Sequence, residues 1–173
     1  VKVYDAAGAF RRAVPTGGNL TGITVRARGE LYVSDSVGGR VTVYSAAGAF
    51  LRACGVYGDN PGELTQAAGV AVRGDGVIFV VDAFQSRLNV YSPACQFLGN
   101  LGGYGAGSGM LNIPVDAAID ASGRLMVTNF ENGRLEVFQF PAFVPTACPG
   151  DADCDGMPDW WEVAHGFNPN DPS

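Results

Sequence analysis

Short apolar segments alternate with clusters of turn-forming residues along the first part of the chain. Segments 31–33 and 77–81 are continuously apolar, and Gly, Asp, Asn and Ser separate them from their neighbours. Positions 41–44 and 88–91 alternate between apolar and polar residues, which is typical of a strand with one buried face. No segment of residues 1–140 shows a convincing helical period. The pattern therefore predicts an all-β fold for this part of the chain.

The same sequence features return with a period of 47 residues. Gly-Ile-Thr-Val at 22–25 returns as Gly-Val-Ala-Val at 69–72 and as Asp-Ala-Ala-Ile at 116–119. Three further series share this spacing: Asp35, Asp82 and Asn129; Arg40, Arg87 and Arg134; Tyr44, Tyr91 and Phe138. An earlier partial copy, residues 1–10, matches residues 41–50. Internal repeats of this length indicate a chain built from equivalent structural units.

Each repeat accommodates four short strands, at about 22–25, 31–34, 40–44 and 49–53 in the clearest copy. Over residues 1–140 the repeats predict units of two, four, four and three strands. Four-stranded units that recur about every 40–50 residues suggest a β-propeller, in which each unit is one blade. We therefore expect about three blades, which is a partial propeller.

Residues 21–64, TGITVRARGELYVSDSVGGRVTVYSAAGAFLRACGVYGDNPGEL, resemble an NHL repeat. The family pattern is a Gly-Ile-Ala-Val strand, a Gly turn, a Tyr-Val-Ala-Asp strand and an Arg-Ile-x-Val-Phe strand. Residues 1–140 follow it with departures at Asp116 and Asn129. The resemblance implies NHL-type blades and leaves the activity open, because such propellers host lyases, hydrolases, protein binders and RNA binders.

The predicted strands form an open sector, because NHL propellers generally close with about five or six blades. Three arrangements are open at this point: a fragment of a longer propeller, closure by oligomerisation, or stacking into an open array. The family habit of completing the final blade with an N-terminal strand favours a longer parent protein. Exposed blade faces aggregate or recruit partners.

Charge divides the chain into two parts. Residues 1–140 hold equal numbers of basic and acidic residues, 11 of each, whereas residues 141–173 hold six acidic residues and no basic ones. The tail therefore carries the net charge of −6. A nucleic-acid partner is not expected, since its phosphates require a basic excess. A membrane span is not expected either, because no apolar stretch is long enough.

The tail carries the strongest chemical motif. Proline-containing residues 141–150 read as a linker, and residues 151–162 fit the calcium-loop pattern D-x-D-x-D-G-x5-E. Calcium prefers six to eight oxygen ligands, and Gly156 permits the sharp turn that such a loop needs. The predicted ligands are Asp151, Asp153, Asp155, the backbone carbonyl of Met157, Asp159 and Glu162. A short helix is expected to follow from residue 160. The plain alternative is a solvated acidic tail.

The whole tail, residues 151–173, also resembles the bacterial thrombospondin type 3 repeat, Asp-x-Asp-x-Asp-Gly-x-x-Asp-x-Trp-Glu. That resemblance implies a calcium-binding segment on a secreted or cell-surface protein. Asn168, Asn170 and Asp171 would begin another turn of the array.

The four cysteines fit an oxidising compartment. Cys148 and Cys154 flank the start of the predicted loop, where a disulfide would join it to the linker. Cys54 follows an outer strand, and Cys95 lies in a turn of the next repeat, so a disulfide there would connect adjacent blades. Free thiols are the alternative for each pair, because sequence does not determine the connectivity.

Several other residues have a structural and a functional interpretation. Asp35, Asp82 and Asn129 are expected to cap turns, with ligand binding as the alternative. The repeated arginines at 40, 87 and 134 are expected to connect neighbouring blades by hydrogen bonds. Tyr57 and Tyr104 lie in Gly-rich loops, where we expect turn packing, with a binding rim as the alternative. Trp160 and Trp161 are expected to pack the short helix onto its own loop or onto the propeller, with contact to a partner as the alternative.

These features predict a secreted or surface protein whose blades present a surface for a protein partner or for self-association, with calcium stabilising the tail. We do not expect an enzyme, because the propeller repeats contain no His and no nucleophile or phosphate-loop motif. The alternative is a fragment of a propeller lyase or hydrolase whose catalytic residues lie on other blades.

Overall fold

The computed structural model describes residues 1–140 and, beyond them, Val163 alone. The described residues form thirteen strands in four antiparallel sheets. The first sheet pairs β1 (Lys2–Tyr4) with β2 (Phe10–Ala13). The second runs in the order β3 (Leu20–Val25), β4 (Leu31–Asp35), β5 (Arg40–Tyr44) and β6 (Phe50–Cys54). Both bounds and order agree with the predicted strands to within two residues.

The third sheet repeats the second. Its strands are β7 (Ala67–Val72), β8 (Ile78–Asp82), β9 (Arg87–Tyr91) and β10 (Phe97–Gly102). The fourth sheet contains β11 (Pro114–Ile119), β12 (Leu125–Asn129) and β13 (Arg134–Phe138). The predicted sequence of two, four, four and three strands is therefore confirmed, and each sheet is one blade or part of one.

The central strands of the complete blades are buried on both faces. All five residues of β4 and all five of β8 are buried, which explains why their sequences are nearly continuously apolar instead of alternating. One core cluster fills the space between the second and third sheets and includes Tyr32, Val43 and Ile78. Another lies between the third and fourth sheets around Phe79, Leu88 and Leu125. The sheets thus pack face to face along the chain.

The innermost strand of each blade packs against the innermost strand of the next, so that β7 lies between β3 and β11. Glycine permits this close approach: a Cβ on Gly22 would lie 2.7 Å from the Ala68 carbonyl oxygen, and one on Gly69 would lie 2.7 Å from the Asp116 Cα. Asp116, the departure from the repeat pattern, has an exposed side chain on β11, where the described chain supplies no further inner strand.

Two sheet faces at the ends of this stack expose apolar side chains. On β3, Gly22 faces the third sheet, while Ile23 and Val25 alternate to the other side and are more than half exposed. On β13, Phe138 packs into the core, while Leu135 and Val137 point away and are about half exposed. We call these the β3 face and the β13 face. The first sheet covers part of the β3 side, since Val3 packs near Val33 and Tyr44 of the second sheet.

A disulfide connects the two complete blades. Cys54 at the end of β6 is bonded to Cys95 in the turn between β9 and β10, with a Cα–Cα distance of 4.8 Å. Of the two alternatives open for this pair, the structure has the bridge. Cys95 occupies the turn position that Gly48 holds in the preceding blade, and both have left-handed backbones, with φ of 69° and 88°. The pairing of Cys148 with Cys154 lies outside the described residues.

Within residues 1–140 and at Val163, no helix has the length and apolar character that crossing a membrane requires.

Candidate functional site

Asp82 connects three backbone segments at one end of the third blade. Its carboxylate oxygens accept hydrogen bonds from the Thr65 N–H (2.7 Å), the Thr65 hydroxyl (2.8 Å), the Gln66 N–H (3.2 Å) and the Gln85 N–H (3.2 Å). The side chain is fully buried. With its acceptor oxygens used in this way, Asp82 is a turn cap, as predicted, and is not available to a ligand.

Asp35 has the same role in the second blade. Its Oδ1 accepts from the N–H groups of Asn19 (2.9 Å) and Gly38 (3.1 Å), and Arg40 Nε lies 3.5 Å from its Oδ2. Burial alone would raise the pKa of Asp35, but the Gly38 and Asn19 amides and the Arg40 charge outweigh it and hold the pKa below its ordinary value. The carboxylate is therefore ionised because of its structural contacts.

Asn129 shows why the fourth blade departs from aspartate at this repeat position. Its Oδ1 accepts from the Asn112 N–H (2.8 Å), while its Nδ2 donates to the Met110 carbonyl (2.8 Å). A carboxylate has no donor for that carbonyl. The substitution therefore matches the local hydrogen-bonding pattern and does not mark a binding residue.

The repeated arginines contact the loops that connect one blade to the next. Arg134 donates to the Ala106 carbonyl (2.7 Å) and to the Gly107 carbonyl. Arg87 donates to the Asn60 carbonyl at 3.4 Å. These contacts agree with the predicted connecting role for Arg87 and Arg134, whereas Arg40 contacts Asp35 of its own blade.

Tyr57 and Tyr104 correct one expectation. Their backbones form bridges with Leu64 and Leu111, but their side chains are 67% and 77% exposed instead of packing in the turns. The reason is that Leu64 and Leu111, which are fully buried, fill the interior of these loops. The tyrosine rings are thus left at the surface.

Other exposed apolar side chains lie at the same end of the blades. Val37 is in the β4–β5 turn, Phe84 in the β8–β9 turn and Phe130 directly after β12. Strand register places these turns beside the loops that carry the tyrosines, because Ala67 pairs with Asp82 and Val41 with Cys54. We call this set the loop rim: Val37, Tyr57, Phe84, Tyr104 and Phe130. Sequence reasoning missed Val37, Phe84 and Phe130, although an apolar residue in an otherwise polar turn is a usable signal.

Part of the loop rim encloses a cleft of about 470 Å³ between the second and third blades. Its apolar walls are Val37, Tyr57 and Phe84. Its polar lining is Asn19, Ser36, Thr65 and Gln66. None of these described lining residues carries a charge, and apolar walls with a few polar groups are the usual composition of a small-molecule binding site.

The predicted calcium ligands lie outside the described residues. These are Asp151, Asp153, Asp155, Met157, Asp159 and Glu162, and the same holds for Trp160 and Trp161. Among the residues that the structure does describe, no three His, Cys, Asp or Glu side chains are grouped so as to hold a metal ion. The tail motif therefore remains a prediction from sequence.

The four sheets are blades of a β-propeller, and this chain forms a sector of one. No family model and no curated protein sequence matches it. It is similar to the solved structure of streptogramin B lyase, with 16% identity and a TM-score of 0.59, over 81% of this chain and 47% of that one. It is also similar to a catalytically inactive histidine-to-alanine variant of virginiamycin B lyase from Staphylococcus aureus, solved with quinupristin. There the identity is 14% and the TM-score 0.55, over 81% and 48% of the two chains.

These similarities define the fold and not the activity. At 14–16% identity the shared feature is the arrangement of the blades. This chain also spans about half the length of the lyase structures.

Proposed function

We propose that this chain is a secreted or cell-surface protein whose NHL-type blades form an interaction surface, and that its principal partner is a second copy of itself. The observation that carries this proposal is the pair of exposed apolar sheet faces on β3 and β13. A calcium-stabilised tail forms the second part of the proposed protein. The inter-blade disulfide supports an oxidising compartment such as the cell exterior.

The β3 and β13 faces are complementary because of their positions in the stack. Inside the chain, each blade presents one face to the blade before it and the other to the blade after it. The β3 face is of the first kind, and the β13 face is of the second kind. The first sheet covers the part of the β3 side around Val33 and Tyr44, and Ile23 and Val25 stay exposed. We propose that the β13 face of one copy contacts this exposed part of another, in a head-to-tail arrangement that closes into a ring or continues as a filament.

Measurements of native mass test this assembly with two single variants. Ile23→Asp disrupts contacts through the β3 face, and Leu135→Asp disrupts contacts through the β13 face. Each variant would bury a carboxylate without a partner in an apolar interface, which is energetically costly. We expect multiples of 18.0 kDa for the unmodified chain and monomers for each variant alone. An equimolar mixture of the two variants should form dimers, because it retains one intact pair of faces.

Val56→Asp is the matched control, since Val56 is exposed on a loop away from both faces, and it should assemble like the unmodified chain. A monomeric unmodified chain, with and without calcium, would overturn self-association. If the assembly forms in the presence of calcium and dissociates when calcium is chelated, the contact lies on the tail instead of on the blades.

The calcium site is proposed on the pattern of residues 151–162, whose carboxylates repel one another without a cation. We expect calcium to bind with a dissociation constant of about 0.1–1 mM, the range of extracellular modules. Glu162→Ala should abolish this binding, because the last loop position supplies both oxygens of one carboxylate. Calorimetry, or terbium luminescence sensitised by the neighbouring Trp160, measures it.

Asp59→Asn serves as the control for the calcium site, since it removes an exposed acidic residue that lies outside the tail. It should bind calcium like the unmodified chain. Equal binding by Glu162→Ala would show that the tail attracts cations only through its overall charge.

A second proposal is that the chain belongs to a larger propeller lyase or hydrolase, and the likeness to streptogramin B lyase favours it. The lyase variant in which a histidine is replaced is catalytically inactive. The one histidine of this chain, His165, lies in the tail. On this proposal the catalytic residues lie on other blades of the protein.

A further inference from the structure

We propose that the cleft between the second and third blades binds a neutral sugar. This inference concerns a small-molecule site on the loop rim, and it does not depend on whether the β3 and β13 faces join two copies. The observation that supports this proposal is that one cleft combines exposed aromatic rings, side-chain amides without hydrogen bonds among the described residues, and an uncharged lining.

The size and shape of the cleft suit a small ligand. Its volume of about 470 Å³ lies within the range of about 300–1,000 Å³ that small-molecule sites occupy. Val37 projects from the second blade, Phe84 projects from the third, and Tyr57 comes from the loop that joins them. A ligand in the cleft therefore contacts apolar side chains from two blades and the connection between them.

The walls offer flat apolar surfaces. Phe84 and Tyr57 are 71% and 67% exposed, so their rings are accessible to a ligand. Aromatic faces bind ring-shaped partners through area burial and through their negative π-face. A pyranose ring has one face of C–H groups, slightly positive, that matches such a surface.

The polar lining supplies the second half of the recognition. Within residues 1–140, the side-chain amides of Asn19 and Gln66 make no hydrogen bond, so each offers two donors and an acceptor to a ligand. The Ser36 hydroxyl donates to the Asn19 carbonyl, and the Thr65 hydroxyl donates to Asp82, which leaves their oxygens free to accept. Sugar hydroxyls both donate and accept, and this mixed set satisfies both requirements.

The electrostatics select against charge. None of the described lining residues is charged, and the buried carboxylates of Asp35 and Asp82 lie directly behind the lining. An anionic ligand would meet these carboxylates without a cation to pair with. Backbone N–H groups already use acceptor oxygens of both carboxylates, which leaves few of these oxygens as direct ligands for a cation. A neutral polyol suits the uncharged donors and acceptors of the lining.

The test measures binding of cellobiose, maltose and lactose to the full chain by calorimetry and saturation-transfer NMR. At least one of these neutral disaccharides should bind, and cellobionic acid, an anionic relative of cellobiose, should bind more weakly than cellobiose. Tyr57→Ala and Phe84→Ala should each weaken binding by about tenfold, the loss expected for one aromatic contact. Gln66→Ala should weaken it as well.

Tyr104→Ala is the matched control, because Tyr104 is the same repeat position one blade further on and does not line this cleft. It should bind the sugar like the unmodified chain. Binding of soluble starch and hydroxyethylcellulose distinguishes the source of the sugar. A polymer that binds more tightly than the disaccharides indicates a glycan chain, whereas binding of a disaccharide alone indicates a free sugar.

Two results would overturn the proposal. One is failure of all three disaccharides to bind up to their solubility limits. The other is a chain that binds an acetylated Ala-Tyr-Ala peptide but no sugar, where Tyr57→Ala abolishes the peptide binding. That result would assign the cleft to a peptide ligand.

Discussion

Replacing both Cys54 and Cys95 by alanine should lower the free energy of unfolding by about 4 kcal/mol. The two cysteines are 41 residues apart in sequence, so the bridge restricts a long loop of the unfolded chain, and the entropy of that restriction gives the estimate. The bridge also connects the second and third blades, whose shared core depends on their contact. Urea unfolding of the oxidised protein, followed by circular dichroism, measures the change.

The choice of residue at position 95 provides an internal control. Cys95 has φ of 69°, and the equivalent residue in the preceding blade is Gly48. Glycine adopts this left-handed backbone without the steric cost of a Cβ. The pair Cys54→Ala with Cys95→Gly should therefore be more stable than the double alanine variant, by about 1 kcal/mol.

A double alanine variant that unfolds at the same urea concentration as the unmodified chain would contradict the first expectation. Equal stability of the glycine and alanine variants would show that the turn does not strain the residue at position 95.

The repeat period predicted the arrangement of strands because each blade buries the same positions. The apolar segments at 31–33 and 77–81 occupy the same central place in successive blades, and so they become fully buried strands. The turn caps were also predictable, since an aspartate at the end of a strand and directly before a tight turn commonly accepts hydrogen bonds from the turn's N–H groups. Local chemistry determined these features.

The loop rim was harder to predict because it depends on contacts between distant segments. Tyr57 and Leu64 both lie in one loop, and their sequence does not indicate which of the two fills its interior. The position of Phe84 relative to Tyr57 is set by how the third blade packs on the second. A cleft between two blades therefore appears only in three dimensions.

The departures from the repeat pattern have different physical origins. Asp116 stands on β11 where the two preceding repeats have glycine, and its exposed side chain accepts a hydrogen bond from the Ala117 N–H (2.9 Å). Asn129 replaces an aspartate where the loop presents a carbonyl that needs a donor. Each departure thus comes with a hydrogen bond that the residue of the other repeats would not make.

Replacing Asp82 by alanine should lower the free energy of unfolding by about 3 kcal/mol or more. The carboxylate is fully buried and accepts four hydrogen bonds, and hydrogen bonds to a charged group contribute about 1.5–3 kcal/mol each. Water entering the vacated space would satisfy some of the donors, so the loss is smaller than the sum. Chemical unfolding at pH 7 measures it, and the exposed Asp59→Ala should change stability by less than about 0.5 kcal/mol.

Exchanging the caps between the two blades tests whether each is matched to its own loop. Asp82→Asn keeps one acceptor oxygen but turns an amide N–H₂ toward the donors of Thr65 and Gln66, so it should also destabilise, by about 1–3 kcal/mol. Asn129→Asp loses the hydrogen bond to the Met110 carbonyl and brings a carboxylate against that oxygen, so it should destabilise as well. If Asn129→Asp leaves the stability unchanged, the hydrogen-bond explanation of Asn129 is wrong. If Asp82→Asn leaves it unchanged, the loop of Asp82 accepts an amide cap as well as a carboxylate.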